Sequence, residues 1–533
     1  MNRKPNIMII MNDDMGYSDI GCYGGETDTP VLNRLAANGI RFTQFYNTAR
    51  CCPTRASMLT GLHPHQTGIG LMTRDDSPEG YTGSLNNQCV TIAEALKLGG
   101  YRTYMSGKWH VSSNIDQVND TWPRQRGFDR FYGIISGAAN FFHPDTLKRD
   151  NDSIDHEALH DGNYYFTDAV SGQAVQFIEE HARDYPDAPF FQYVAYTAPH
   201  WPLHAREEDI AKYTGRFDTG WDKLREARLN RMVEMGIVDA RWQLTERDST
   251  QPAWEDADHK EWHLRRMEVY AAQLDRMDQG IGSIVSALER SGRLDNTLIL
   301  FLSDNGGCAE ELVSGRSGQG TGMLFNNRFA REHTKKGTPV AFGNRADLMP
   351  GGEDTYQSYG AAWANLSNTP FRLYKHWVHE GGIATPLIAC WPDKITDRGA
   401  LRHTPGQLPD IMATVLDAAG IQYPHTFHGV PILPLEGTSL LPVLEKDELD
   451  RSLPLCWEHE GNGAIRIGDW KLVRKYPEPW ELYNVADDRT EMYDLSGKYP
   501  EKAAELLQAY EEWTKRCGVI DREVIMRIPR KPK

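Results

Sequence analysis

The sequence predicts an α/β fold, a large mixed but mostly parallel sheet sandwiched by helices, with a small C-terminal antiparallel sheet plus helix. Three observations carry this expectation. Short apolar runs recur along the chain, too continuous for strands with one face in water. They alternate with stretches of helical apolar periodicity, the pattern of a sheet covered on both faces. At 533 residues the chain exceeds what one core usually fills, so a domain of residues 1–450 and a smaller one of residues 451–533 are expected.

The apolar runs in order are Asn6 to Met11, Tyr101 to Met105, Phe190 to Ala195, Leu298 to Leu302 and Pro386 to Cys390. After the first run, Thr29-Pro30 offers a helix cap and a first-turn proline. Val31, Leu32, Leu35 and Ala36 form one apolar stripe, and Asn38-Gly39 stops it. A longer helix is expected from about Met267 to Leu288, where Met267, Tyr270, Leu274, Met277, Ile281, Ile284 and Leu288 share a face. Residues 314–365 are rich in Gly, Asn and Arg with little periodicity, which suggests an insertion at the rim of a site. Beyond residue 450, Gly463 to Ile467, Trp470 to Val473 and Trp480 to Tyr483 read as short strands, followed by a helix over Pro500 to Arg516.

No apolar run is long enough to cross a bilayer, and the N-terminal run lacks the length and cleavage site of a secretion signal. The sequence as it stands reads as cytoplasmic, and as periplasmic or secreted if a leader has been trimmed. The net charge of −16 argues against nucleic acid and anionic membranes as partners. An anionic substrate then requires a locally basic pocket. Eight cysteines scattered over so long a chain make no disulfide framework.

Asn12-Asp13-Asp14 follows the first apolar run, and Ser303-Asp304-Asn305 follows the fourth. In parallel sheets ligands gather at such strand ends. Asp13, Asp14, Asp304 and Asn305 together form an all-oxygen set, suited to calcium or magnesium rather than zinc. Helix capping is the other reading of Asp13-Asp14. Lys108 and His110 follow the second run and His200 the third, each a packed loop residue when read alone. Cys51-Cys52 is open to three readings: a redox pair, a catalytic thiolate or two structural thiols.

The segment Cys51-Cys52-Pro53-Thr54-Arg55-Ala56-Ser57-Met58-Leu59-Thr60-Gly61 resembles the type I sulfatase signature at every defined position. Gly107-Lys108-Trp109-His110, Ala198-Pro199-His200-Trp201-Pro202, Asp304-Asn305-Gly306-Gly307 and Phe371-Arg372-Leu373-Tyr374-Lys375 follow in the order of bacterial arylsulfatases. The resemblance implies an alkaline phosphatase-like fold and hydrolysis of sulfate esters. It implies that a formylglycine-generating enzyme converts Cys51 to formylglycine, whose hydrated aldehyde is the nucleophile. Asp13, Asp14, Asp304 and Asn305 match the metal ligands, with residue 51 supplying a further oxygen to one divalent ion, calcium or magnesium. Arg55, Lys108, His110, His200 and Lys375 match the groups that bind sulfate and move protons, His200 with Lys375 at the leaving oxygen and His110 at residue 51. Thr54 stands where many members have serine. The alternatives are a phosphate or phosphonate ester hydrolase of the same superfold and an inactive calcium- or sulfoglycan-binding module.

Overall fold

The computed structural model describes residues 3–75, 78–313 and 331–528. Its main strands are β1 (Asn6–Asp13), β2 (Ile40–Tyr46), β3 (Arg102–Lys108), β4 (Arg130–Ile134), β5 (Phe190–Pro199), β6 (Thr297–Ser303) and β7 (Ala384–Cys390). They run in the order β2-β7-β6-β1-β5-β3-β4, and short edge strands bring the sheet to eleven. β1 pairs in parallel with β5 and β6, and β3 with β4 and β5. β7 is antiparallel to both β6 and β2, which makes the sheet mixed.

The alternation of β1 shows why its run had to be continuous. Met8 and Ile10 enter one core, while Ile7, Ile9 and Met11 enter the core on the other face. Each such side chain contributes about 1.5–3 kcal/mol of burial, so both faces demand cover. Helices α1 (Pro30–Asn38), α3 (Phe166–Asp184) and α4 (Lys260–Arg290) cover the first face. Helices α2 (Cys51–Thr60) and α5 (Leu408–Ala419) cover the second.

Three sequence expectations need correction. The strands β1, β3 and β5 run on through Asp13, Lys108 and Pro199, so several polar residues expected just after the strands are their last members. Thr29 does not cap α1 with its side chain. Its Oγ1 instead accepts from Gly21 N at 2.9 Å, and the first-turn N–H groups of Val31 and Leu32 donate to the Asp278 carboxylate of α4 at 2.9 and 2.8 Å. Within 314–365, residues 314–330 lie outside the described part, and Gly360–Ser367 is a fully buried helix rather than rim.

At the C-terminal end, β8 (Leu455–His459), β9 (Asn462–Ile467), β10 (Trp470–Arg474) and β11 (Trp480–Asn484) form an antiparallel meander. Helix α6 (Pro500–Cys517) lays Leu506, Tyr510 and Trp513 on Cys456, Ile465, Leu472 and Leu482. A buried ionic network joins this sheet to the rest. Lys471 meets Glu380 at 2.8 Å and Glu491 at 2.7 Å, and Arg489 meets Glu380 at 2.8 Å. No helix among the described residues is long and apolar enough to cross a membrane.

Candidate active site

The site lies at the carboxyl ends of β1, β3, β5 and β6, where strand ends deliver polar groups to one place. In a strand Asp13 and Asp14 would point to opposite faces. Asp14 instead adopts left-handed backbone, φ 66°, which breaks the alternation. Its N–H donates to Asp304 Oδ1 at 3.2 Å, joining the end of β1 to the end of β6. Asn305 Nδ2 donates to Asp14 Oδ1 at 2.7 Å, so its own Oδ1 is left free.

Asp13 Oδ1 and Asn305 Oδ1 are buried and have no hydrogen-bond partner among the described residues. Bare buried acceptors are costly, and two of them beside Asp14 and Asp304 fit a hard cation. The carboxyl groups report the same need. Burial, reinforced by Asp13, pushes Asp304 well above the usual carboxylate range, and burial raises Asp13 in spite of Lys108 and Arg55. Burial also opposes ionisation of Asp14, but Lys375 and His200 outweigh it and hold that group low. A bound divalent ion would reverse the strain on the first two.

Cys51 opens α2 and is buried. A hydrogen bond from Cys52, with Lys108 and His110 nearby, draws its thiol well below the ordinary range despite burial. The sulfur marks where an oxygen of a modified residue 51 would stand. Arg55, one turn further along α2, donates to Asp304 Oδ2 at 2.7 Å and to Tyr193 Oη and Lys108 O at 3.2 Å. It braces the carboxylate cluster. The signature's last residue, Gly61, ends α2 at φ 69°, where a Cβ would fall 2.3 Å from Leu435.

On the Asp13 side, Lys108 Nζ donates to Asp13 Oδ2 at 2.6 Å. Gly107 lets β3 approach β5 there, because a Cβ would stand 1.9 Å from Ala195 O. His110 follows in left-handed backbone, φ 53°, with burial lowering its imidazole to about 4. On the Asp14 side, Lys375 Nζ donates to Asp14 Oδ2 at 2.9 Å and stands 3.4 Å from His200 Nε2. His200 Nδ1 donates to Trp201 O at 2.6 Å, which leaves Nε2 as the acceptor facing Lys375. Burial lowers this imidazole too, to about 4, whereas Asp14, Cys308 and Glu310 overcome burial to raise Lys375 well above its usual value.

All the residues singled out in the sequence therefore meet in one pocket. Others were missed. Glu310 takes an ion pair from Arg50 at 2.8 Å and a hydrogen bond from Trp201 Nε1 at 3.0 Å, and stands 3.8 Å from Lys375. Gly137 clears space for His110, since a Cβ there would lie 2.5 Å from the imidazole. Arg50 precedes Cys51 directly, so its position was a usable signal; Glu310 and Gly137 sit in loops without a pattern.

Such a pocket can hold a hard cation and a tetrahedral oxyanion side by side, and with this sheet it defines the class of an oxyanion-ester hydrolase. The chain belongs to the sulfatase family, whose family model matches residues 5–421, and it is accordingly a sulfuric ester hydrolase. A second model, that of the N-sulphoglucosamine sulphohydrolase C-terminal region, matches residues 371–515. The chain is 32% identical to an arylsulfatase of Klebsiella aerogenes over 82% of this chain and 91% of that one. It is 30% identical to an uncharacterized sulfatase of Schizosaccharomyces pombe, over 97% and 95%. Among solved structures, Ps i-CgsB superposes with a TM-score of 0.67 at 24% identity, covering 96% of this chain and 93% of that one, a likeness of fold.

Proposed function

We propose that the pocket hydrolyses aryl sulfates and sulfated carbohydrates to the free alcohol and inorganic sulfate, with residue 51 acting as formylglycine. The observation that carries this reading is the placement of Cys51 between the Asp13 and Asp14 arms of one oxygen cluster, with a cation and an imidazole on each side. Asp13, Asp14, Asp304 and Asn305 would hold calcium, with magnesium as the alternative, together with an oxygen at residue 51. When bound, the ion polarises the sulfate and the hydrated aldehyde supplies a hydroxyl nucleophile. Lys108 and Lys375 set positive charge on opposite sides of the sulfate oxygens, fixed in place before the reaction begins. His200 Nε2 accepts from the Lys375 ammonium and orients it, and the pair protonates the departing oxygen through Lys375. His110 borders residue 51 and takes up the proton released there. Arg55 orients Asp304 and opposes the burial that disfavours its carboxylate. The aryl substrate follows the arylsulfatase relative, and the sugar sulfate follows the match to the sulphohydrolase C-terminal region.

Protein co-produced with a formylglycine-generating enzyme tests the reading, assayed for sulfate release from aryl sulfates and sulfated sugars in parallel. Chelation should abolish release, and calcium or magnesium should restore it better than zinc. Phosphate ester hydrolysis that exceeds sulfate release, with two equivalents of zinc, would instead support the phosphoesterase reading.

A further inference from the structure

At the tip of the β8–β9 hairpin, His459 pairs with Asn462 across a turn of Glu460 and Gly461, both with positive φ, 52° and 87°. This is the two-residue turn that the twist of a hairpin favours, so the tip is rigid. It is pinned further by Gly461 N donating to Glu458 Oε1 at 2.6 Å. Opposite stands His376, the residue after Lys375, whose N–H donates to Ala49 O at 2.8 Å and whose carbonyl accepts from Asn462 Nδ2 at 3.4 Å.

Three side chains converge between these supports. His376, His459 and Glu460 each offer a ligand atom, and these atoms lie within 4.8 Å of one another. His459 is wholly buried, yet neither of its ring nitrogens has a hydrogen-bond partner among the described residues. A neutral imidazole buried with both nitrogens bare calls for an occupant that the protein itself does not supply. Glu460 Oε2 stands 3.8 Å from His376 Nδ1, and Arg522 Nη1 pairs with that same oxygen at 3.0 Å. Ligating carboxylates are commonly hydrogen-bonded by a second protein group as well.

We propose that His376, His459 and Glu460 form a second metal site, for zinc or a similar transition-metal ion, beside the active site. Two imidazoles and one carboxylate are a nitrogen-rich set that selects zinc over calcium, unlike the oxygen cluster a few residues away. Tetrahedral zinc places its ligand atoms about 3.4 Å apart. The required contraction is small, and His376 and Glu460 can supply it because their side chains are 32% and 25% exposed. Three protein ligands leave a further coordination position for water, and Arg50 and Arg522 are the cations close enough to act on the cluster.

This inference is independent of the roles given to Cys51. Unmodified Cys51 and Cys52 with His110 would also attract zinc, so the test uses Cys51→Ala protein, stripped by chelator and then saturated with calcium. Titration with cobalt(II), read by visible absorption and metal analysis, should show one equivalent in tetrahedral ligation, displaced by zinc. The band should vanish in His459→Ala and in His376→Ala, and weaken in Glu460→Gln. His376→Ala decides the matter if the fully buried His459 cannot be replaced without unfolding. Absence of a tetrahedral band, a band that zinc does not displace, or one unchanged by the His376 substitution would overturn the site.

Discussion

Asp14 and His110 are held at φ 66° and 53°, backbone that costs a side-chain-bearing residue of order 1–3 kcal/mol unless its surroundings fix it. Both lie in the pocket, where that cost turns a carboxylate and an imidazole toward residue 51. Cys51 is the residue on which the chemistry depends most. Peptide mass spectrometry of protein made with the modifying enzyme should find conversion at Cys51 and an intact thiol at Cys52. Cys51→Ala should lower turnover on the order of 10⁴–10⁶-fold, the scale of losing a nucleophile; modification at Cys52 or an active Cys51→Ala would sink the assignment. His200 has a different signature. With Nδ1 committed to Trp201 O, only Nε2 can serve the leaving oxygen, through Lys375. His200→Ala should slow poor leaving groups by about 10²–10⁴-fold and activated aryl sulfates much less, steepening the dependence of log rate on leaving-group pKa. An unchanged slope would remove His200 from that role.

At the level of elements, the parts visible in the sequence were those with a local cause. The five continuous apolar runs are strands because both faces of β1, β3, β5, β6 and β7 are buried, a property of each run by itself. The signature segment was legible through its resemblance to the sulfatase motif; Pro53 and Gly61 serve α2 locally, whereas Arg55 reaches Asp304, 249 positions away. β2 was missed because its polar positions Arg41, Thr43 and Gln44 bond to residues 358–360 positions further along the chain. The cap of α1 escaped likewise, because Asp278 arrives from another helix. That trans cap yields a test. Asp278→Ala strips acceptors from two first-turn N–H groups and should cost about 1–2 kcal/mol, the range for losing a helix cap. Asp278→Asn keeps one acceptor and should cost less; equal losses in chemical denaturation would show that the contact contributes by packing alone.

For the whole molecule, the C-terminal sheet packs one face on α6 and the other on the main core through Leu455, Trp457, Ala464, Val473 and Tyr483, and a buried ionic knot adds to that fastening. Glu380 accepts from Lys471 and Arg489, while Arg489 also donates to Thr43 O at 2.6 Å and Arg466 to Tyr46 Oη at 2.8 Å, both on β2. The same sheet carries His459 and Glu460 to His376, the residue after Lys375, so loosening the knot should disturb that cluster before the central strands. Burial disfavours the Glu380 carboxylate, but Lys471 and Arg489 outweigh it and bring the group down to about 2 from an ordinary value of 4.5. A depressed acid contributes stability that is complete above its unfolded value and fades as pH falls through the folded one. Acid destabilisation from this knot should therefore develop between about pH 4.5 and about pH 2. Glu380→Gln leaves Arg489 buried beside a neutral partner and should cost about 3–5 kcal/mol at neutral pH, flattening that acid limb. Hydrogen exchange reads where the cost falls. Amides of β8 to β11 should lose protection before those of β1, β5 and β6, because one face of the C-terminal sheet packs only on α6, while Leu455, Trp457, Ala464, Val473 and Tyr483 on the other face join the edge of the main core. Uniform loss across both sheets would mean that they unfold as one unit, with the knot an internal part of it.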